Sequence, residues 1–225
     1  NLVRQILTFS RQTNQPVQSV SVALVLKEAV KMLRSTLPQS IKIKTDIRSE
    51  SDVMADPTKI HQVIMNVCTN AYQAMRIDGG TLSIVLHEIH VDKDASIGVR
   101  AGTSPGDYLL LEISDTGCGI PRELINRIFD PYFTTREDEN GSGLGLSVTH
   151  GIVSGLGGGI DVYSEPGIGS TFKIYFPKAS GIIGEFEQKT TDAVTIARGK
   201  ESIMLIDDEK VITEALGSIM EGNGY

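Results

Sequence analysis

Asn66 and Asn70 lie four residues apart, so on a helix their carboxamides share one face, with Gln62 and Gln73 on the same flank. Amides in such a strip serve a ligand or, equally, solvation and capping. Asp115 closes the run 108–115, in which Leu109, Leu111, Ile113 and Asp115 fall on one side of a strand of period two. A carboxylate at the end of a buried face must be paired or hydrogen-bonded, and no basic residue lies nearby in sequence. Gly117 and Gly119 follow at once and permit close backbone approach by a ligand. The partner could then be a ligand donor such as an exocyclic amine; an Asp turning onto its own backbone is the alternative. The third feature is Gly141-Ser142-Gly143-Leu144-Gly145-Leu146, ahead of a helix expected from about 146 to 154. Exposed N–H groups before a helix N-terminus make an anion site suited to phosphate. GxxxxGK[ST] is absent, as is GxGxxG with its following acidic residue, which disfavours both common nucleotide-loop folds.

The elements that must position these groups follow from periodicity. Ser21 caps a helix running to about Leu37, and Ile41, Ile43, Thr45 and Ile47 alternate with polar residues as a half-buried strand does. Asp56 and Pro57 open the strongest helix, whose stripe is Ile60, Val63, Ile64, Val67, Ala71, Ala74 and Met75, and Gly79-Gly80 stops it. Strands are expected over 81–91 and 108–115, joined by a long polar hairpin loop, and again over 160–164 and 171–176 around the turn Glu165-Pro166-Gly167. Residues 178–200 lack a sustained period and read as a linker; 202–206 read as a short strand, followed by Asp207-Asp208 and an amphipathic helix. The segment 2–9 carries another helical stripe, ended by polar residues before Pro16.

Composition bounds the class. The 225 residues are 40% hydrophobic and 22% charged, as in an ordinary globular protein of one or two domains. A net charge of −7 repels phosphate backbones and anionic lipid, so nucleic acid is not an expected partner. Two cysteines and no apolar run near the roughly 18 residues of a membrane span predict a reduced, cytoplasmic setting without direct membrane contact. A start at Asn1, inside an apolar-periodic segment, predicts a piece of a longer chain.

Together these spacings resemble the ATP-binding catalytic domain of sensor histidine kinases, within the GHKL ATPase superfamily of gyrase, heat-shock chaperone and mismatch-repair proteins. Residues 61–75, HQVIMNVCTNAYQAM, resemble the N box, and Asp115-Thr116-Gly117-Cys118-Gly119-Ile120 the first glycine box. Ile128-Phe129-Asp130-Pro131-Tyr132-Phe133-Thr134-Thr135 resembles the F box, Gly143-Leu144-Gly145-Leu146 the second glycine box, and Gly167-Ile168-Gly169-Ser170-Thr171-Phe172 the last. The resemblance implies an α+β fold, a two-layer α/β sandwich of the Bergerat type with a mixed sheet packed on helices. It implies that Asp115 accepts a hydrogen bond from the adenine amino group and that Ser170 supports it and a bridging water. It implies that Asn70 binds the Mg2+ joining the phosphates, assisted by Asn66, and that Gly141, Gly143 and Gly145 meet the triphosphate. Arg136, where related sequences often carry Lys, is implied as a phosphate contact. Gly117, Gly119, Ile120, Phe133, Leu144, Leu146 and Thr171 complete the implied ATP-binding set. Ala74 departs from the family, which often has an aromatic residue there to pack on adenine, and Leu156 stands where some members have His.

The flanks are similar to neighbouring modules of such kinases. Residues 1–15 resemble the end of a dimerisation and phosphoacceptor hairpin, 16–178 the catalytic domain, 179–200 a linker, and 201–225 the start of a response-regulator receiver, as in a hybrid kinase. The implied activity is transfer of the γ-phosphate of Mg-ATP to a histidine on the hairpin, outside this chain, with hairpin and receiver domains as partners in a phosphorelay. His61, His87, His90 and His150 lack the acceptor context and read as structural or surface residues. Two rivals stand beside this reading. A hydrolysing clamp of the gyrase and chaperone branch carries Glu where Asn66 stands, and an amide cannot act as general base; a nucleotide-sensing module without turnover is the non-enzyme alternative.

Overall fold

The computed structural model describes residues 17–92, 103–135 and 143–179, together with Gly217, Met220 and Glu221. The chain divides into two compact units, 1–180 and 181–225; in the second the three described residues are helical. The hairpin-like segment 1–15, most of the linker and the receiver-like strand with Asp207-Asp208 lie outside the described residues.

Ser21 ends the short strand β1 (Gln18–Ser21) and caps α1 (Val22–Thr36), its hydroxyl accepting the Leu24 N–H at 3.4 Å. The stripe Val22, Leu26, Ala29, Val30 and Leu33 is buried at the expected spacing, and the helix stops before Pro38. After β2 (Ile41–Ile47) and β3 (Asp52–Ala55), Asp56 accepts the Thr58 N–H at 2.8 Å and Pro57 fills the first position of α2 (Pro57–Ala74). β4 (Gly80–Val91) and β5 (Gly106–Asp115) follow, then a short 3₁₀ turn (Arg122–Leu124), α3 (Gly145–Gly155), β6 (Gly159–Glu165) and β7 (Gly169–Pro177).

Five strands form one mixed sheet in the order β2-β4-β5-β7-β6. β2 runs parallel to β4, and the intervening β3 and α2 supply the crossover that parallel neighbours require. The other neighbours are antiparallel. β1 and β3, which periodicity alone does not announce, make a separate two-stranded antiparallel sheet.

Strand alternation sends Leu82, Ile84 and Leu86 of β4, Leu109, Leu111 and Ile113 of β5, and Phe172, Ile174 and Phe176 of β7 to one face, against the helices. α2 lies between α1 and α3 and contributes Ile60, Val63, Ile64, Val67, Cys68 and Ala71 to that core. Burial pushes the Cys68 thiol up to about 12, so it packs as a small apolar group. The opposite face carries a smaller buried cluster of Val91, Tyr108, Leu110 and Tyr175, with the two tyrosine rings edge to face at 6.3 Å. The result is the mixed-sheet, two-layer α/β sandwich. Among the described residues no helix is long and apolar enough to cross a membrane.

A polar clamp closes the sheet at its rim. The Lys178 ammonium, just past β7, donates to Glu88 of β4 at 2.5 Å, and the Ser51 and Ser49 hydroxyls donate to the same carboxylate at 2.6 and 2.8 Å. These donors hold Glu88 down at about 2, from an ordinary 4.5. A depressed carboxyl stabilises the fold above its unfolded value and loses that contribution as pH falls through the folded one. Glu88→Gln is therefore expected to unfold at lower denaturant than the parent at pH 7. The gap should close between about pH 4.5 and pH 2; a gap unchanged across that range in urea titrations would contradict the clamp.

Candidate functional site

The strongest helix and the two strands it covers meet at an open cleft of about 370 Å3. α2 presents Asn66, Asn70 and Gln73 along its edge, as four-residue spacing requires, with Ala74 one step further. β5 ends in Asp115 and Ser170 is the second residue of β7, and the two are cross-strand partners on the core side. Gly119 and Ile120 follow Asp115, Phe133 arrives with the segment after the 3₁₀ turn, and Gly143, Gly145 and Leu146 line the far end at the start of α3. Ten of the residues singled out from sequence thus share one cavity: Asn66, Asn70, Asp115, Gly119, Ile120, Phe133, Gly143, Gly145, Leu146 and Ser170.

The others are placed differently. Gly117 lies behind the wall: a Cβ there would stand 2.6 Å from the Ala74 Cβ and carbonyl oxygen. The small residue at 74 and the glycine at 117 are one packing solution, fastened by the Cys118 N–H donating to Ala74 O at 3.1 Å. Thr171 alternates to the opposite face of β7, where its hydroxyl pairs with Ser114 at 2.9 Å. Leu144 sits at the cap of α3, its carbonyl accepting the Ser147 hydroxyl and the Val148 N–H. Arg136 and Gly141 lie outside the described residues.

Asp115 is 7% exposed. Its Oδ1 accepts the Gly117 N–H at 2.8 Å, the self-turn that its position before a glycine allows, yet the carboxyl still borders the cleft. Burial pushes its pKa up from the usual carboxylate value, and the backbone N–H groups of Gly117 and Ser170 pull back only in part. Around it the chain folds tightly. Gly119, at φ +70°, sets its Cα where a Cβ would lie 2.1 Å from Glu165 O, and Gly169 does the same 2.0 Å from Asp115 O.

At the opposite end Asn66 is oriented rather than free. Its amide nitrogen donates to Gly145 O at 2.9 Å and to the buried Thr149 hydroxyl at 3.3 Å, which leaves the amide oxygen as its accepting group. Among the described residues the first turn of α3 has no side-chain cap, and its N-terminus borders the cleft. Gly143, at φ +63°, brings this end against the backbone of Tyr132, itself at φ +65°. Apolar walls join the two ends: Ala74, Leu124, Ile128 and Phe172 line the cleft beside Ile120 and Phe133, and the Arg127 guanidinium lies over the Phe133 ring at 4.6 Å. Leu124, Ile128 and Phe172 were not separable from ordinary core by spacing, and Cys118 at the rim carried no signal beyond its place among glycines. His150 instead meets the Phe129 ring at 5.3 Å, outside the cleft wall.

The comparisons with known proteins agree with this geometry. Residues 55–180 match the family described as histidine kinase-, DNA gyrase B-, and HSP90-like ATPase. The chain is similar to the sensor kinase CckA of Brucella abortus (strain 2308), 32% identical over all of this chain and 24% of the relative. It is similar to the signal transduction histidine-protein kinase AtoS of Escherichia coli (strain K12), 30% identical over 78% of this chain and 26% of the relative. It spans about a quarter of the length of these curated relatives. Among solved structures, the catalytic domain of histidine kinase ThkA in a nucleotide-free form shares the fold, with a TM-score of 0.59 at 24% identity over 73% of this chain and 97% of that one.

The electrostatics of Asp115 predict a cost to the ligand-free protein. A carboxyl whose folded pKa is raised binds its proton more tightly in the native state, so stability falls as pH rises through that window. Asp115→Asn, which keeps the oxygen facing Gly117 N–H and drops the charge, is expected to melt above the parent at pH 7. The two should converge as pH falls through the range where Asp115 protonates. A variant that melts below the parent at neutral pH would show that the charge is not under burial stress.

Proposed function

The chain belongs to the histidine kinase-, DNA gyrase B- and HSP90-like ATPase family, and from that premise we propose that it is the ATP-binding catalytic domain of a sensor histidine kinase, holding Mg-ATP and presenting its γ-phosphate to a histidine on a separate hairpin domain. The observation that carries the reading is the polarity of the cleft: a buried carboxylate at one end and the N-terminus of α3, without a side-chain cap among the described residues, at the other, with apolar walls between. Asp115 accepts from the adenine amino group, the walls take the ring, and the N–H groups around Gly143 and Gly145 meet the triphosphate.

Asn70, with Asn66 beside it, fits the role of holding Mg2+ at the phosphates. Among the described residues no group of three or more His, Cys, Asp or Glu could hold a metal ion, and Mg2+ bound through substrate phosphates needs only one or two protein oxygens. When bound, the ion neutralises charge on the phosphates. Asn66 also separates transfer from hydrolysis. Its nitrogen is committed to Gly145 and Thr149, and an amide takes no proton from water, so this site lacks the base of a hydrolysing clamp. Arg136 and Gly141 belong to the same proposed phosphate end. The flanking segments 1–15 and 201–225 are proposed as hairpin and receiver pieces, which makes a receiver domain a second partner, and the setting cytoplasmic.

Calorimetric titration with Mg-ATP tests the site. Asp115→Asn is expected to lose more than tenfold in affinity, the worth of about 1.5–3 kcal/mol for a hydrogen bond to a charged acceptor. The loss should be specific in pH: parent affinity falls as pH drops through the raised Asp115 range, and the variant lacks that component. Unchanged ATP binding in Asp115→Asn would overturn the reading. Asn70→Ala is expected to weaken binding with magnesium far more than without it.

Transfer requires an acceptor imidazole held in line with the γ-phosphate. Incubated with radiolabelled ATP, this chain alone is expected to stay unlabelled, and a hairpin domain added in trans to gain acid-labile, base-stable phosphohistidine. Labelling of His61, His87, His90 or His150 would overturn the placement of the chemistry.

A further inference from the structure

Next to Asp115, one hydroxyl controls the proton of another. Leu82, Asp115, Ser170 and Ser164 form a register row across β4, β5, β7 and β6, so Ser170 is flanked by Asp115 on one side and Ser164 on the other. Ser164 is half-buried and its oxygen has three neighbours: the Ile120 N–H at 2.7 Å, the Gly169 carbonyl at 3.0 Å and the Ser170 hydroxyl at 2.9 Å. A serine hydroxyl has one proton and two lone pairs. The Ile120 nitrogen can only donate and the Gly169 oxygen can only accept, so the one arrangement that serves all three neighbours sends the Ser164 proton to Gly169. The remaining lone pair of Ser164 then takes the proton of Ser170. In that arrangement Ser170, 5% exposed and the cross-strand partner of Asp115 in the cleft lining, does not give its proton to Asp115 and is left as an acceptor.

We propose that Ser164, which lies outside the cleft lining, is a positioning residue for base recognition: by taking the Ser170 proton it keeps Asp115 and Ser170 as two adjacent acceptors, which select a purine bearing an exocyclic amine over a 6-oxo purine. The inference rests on the nucleotide reading of the cleft and adds to it the residue that sets its selectivity. Without Ser164, the Ser170 proton turns to its other neighbour, the Asp115 carboxylate. The base amine then competes with an internal donor for the same oxygen. The same hydroxyl also ties Ile120, just past the Asp115 loop, to the end of β6, beside the Gly167 N–H donating to Cys118 O at 2.8 Å. A purely structural contribution of that tie would weaken all nucleotides alike; proton control weakens the amine-bearing base selectively.

Mg-ATP and Mg-ITP, whose bases differ at the 6 position (amine against oxo) and in the proton that the ITP base carries on N1, are titrated, together with the triphosphate of unsubstituted purine, which lacks the amine and keeps N1 unprotonated, into the parent, Ser164→Ala, Ser164→Thr, Ser170→Ala and the double variant Ser164→Ala/Ser170→Ala, with melting curves to confirm folding. The parent is expected to favour ATP by about tenfold or more, and Ser164→Ala to lose about fivefold to tenfold of that preference, the worth of one hydrogen-bond donor removed. Ser164→Thr, which keeps a hydroxyl, should retain the preference. The decisive arm is the double variant: removing the misdirected Ser170 proton should restore part of the preference lost in Ser164→Ala. An unchanged ATP-to-ITP ratio in Ser164→Ala, or a double variant less selective than Ser164→Ala, overturns the inference while Asp115-dependent ATP binding in the parent still stands. Absence of Asp115-dependent binding in the parent overturns the nucleotide reading itself. If Ser164→Ala fails to melt cooperatively, Ser164→Thr and Ser170→Ala carry the test, with loss of the ratio in folded Ser164→Thr counting against it.

Discussion

A carboxylate that must stay charged at the buried end of a strand sets the terms for the rest of the site. Among the described residues Asp115 has no cationic partner, and desolvation works against its ionised form. What the fold supplies instead is backbone: the Gly117 and Ser170 N–H groups, delivered by chain that passes within van der Waals reach on both sides. The glycines follow from that closeness. Gly117 lets the loop lie on Ala74, Gly119 lets it turn under Glu165, and Gly169 lets β7 begin against the Asp115 carbonyl. Each would place a Cβ inside a backbone or side-chain atom, so three glycines serve one anion. Among the described residues the arrangement leaves part of the carboxylate's hydrogen-bonding capacity unmet, and in the proposed function a ligand donor satisfies that remainder.

α2 carries the other half of the design. One face builds the core through Ile60, Val63, Ile64, Val67 and Ala71, and the adjoining edge holds Asn66 and Asn70 over the cleft, so the polar groups inherit the rigidity of a fully packed helix. Asn66 also docks α3. A carboxylate in its place would face the Gly145 carbonyl that Asn66 now serves as a donor, an acceptor against an acceptor. The identity of residue 66 is therefore constrained by how the phosphate end is attached as well as by the absence of a base, and these two demands point the same way.

The sequence made much of this visible, for reasons that differ by element. The stripes of α1 and α2 and the alternation of β2, β5 and β7 announce the face turned to the helices, the second buried cluster of Val91, Tyr108, Leu110 and Tyr175 on the other face does not show in that pattern, and the caps at Ser21 and Asp56 sit where the helices begin. Parity alone put Asp115 on the buried side, and its register with Ser170 follows once β7 pairs with β5. β1 and β3 were not legible because four residues carry too few alternations, and their pairing is between segments more than thirty residues apart. Gly117 and Thr171 belong to the right motifs but face away from the cleft, one packed on Ala74 and one rotated by strand alternation, because a motif is a run of residues and a cleft is a surface. Ser164 carried no signal at all: its part depends on which of three neighbours can only donate and which can only accept, and that is fixed by register rather than by residue type.

The cleft is directional, and direction decides what it takes. The Asp115 carboxylate stands at one end and the N-terminus of α3 at the other, with apolar residues between them. A ligand must therefore be a donor at one extremity, flat and apolar in its middle and anionic at the other. Reversed, it would set phosphate oxygens against a buried carboxylate, in a chain whose overall charge is already −7. Inorganic phosphate satisfies one end only, and a bare base satisfies the other only. Occupancy of both ends requires one molecule carrying both groups, and in the proposed function the same polarity that would orient a nucleotide would set where its terminal phosphate emerges, beside α3 and the edge of α2.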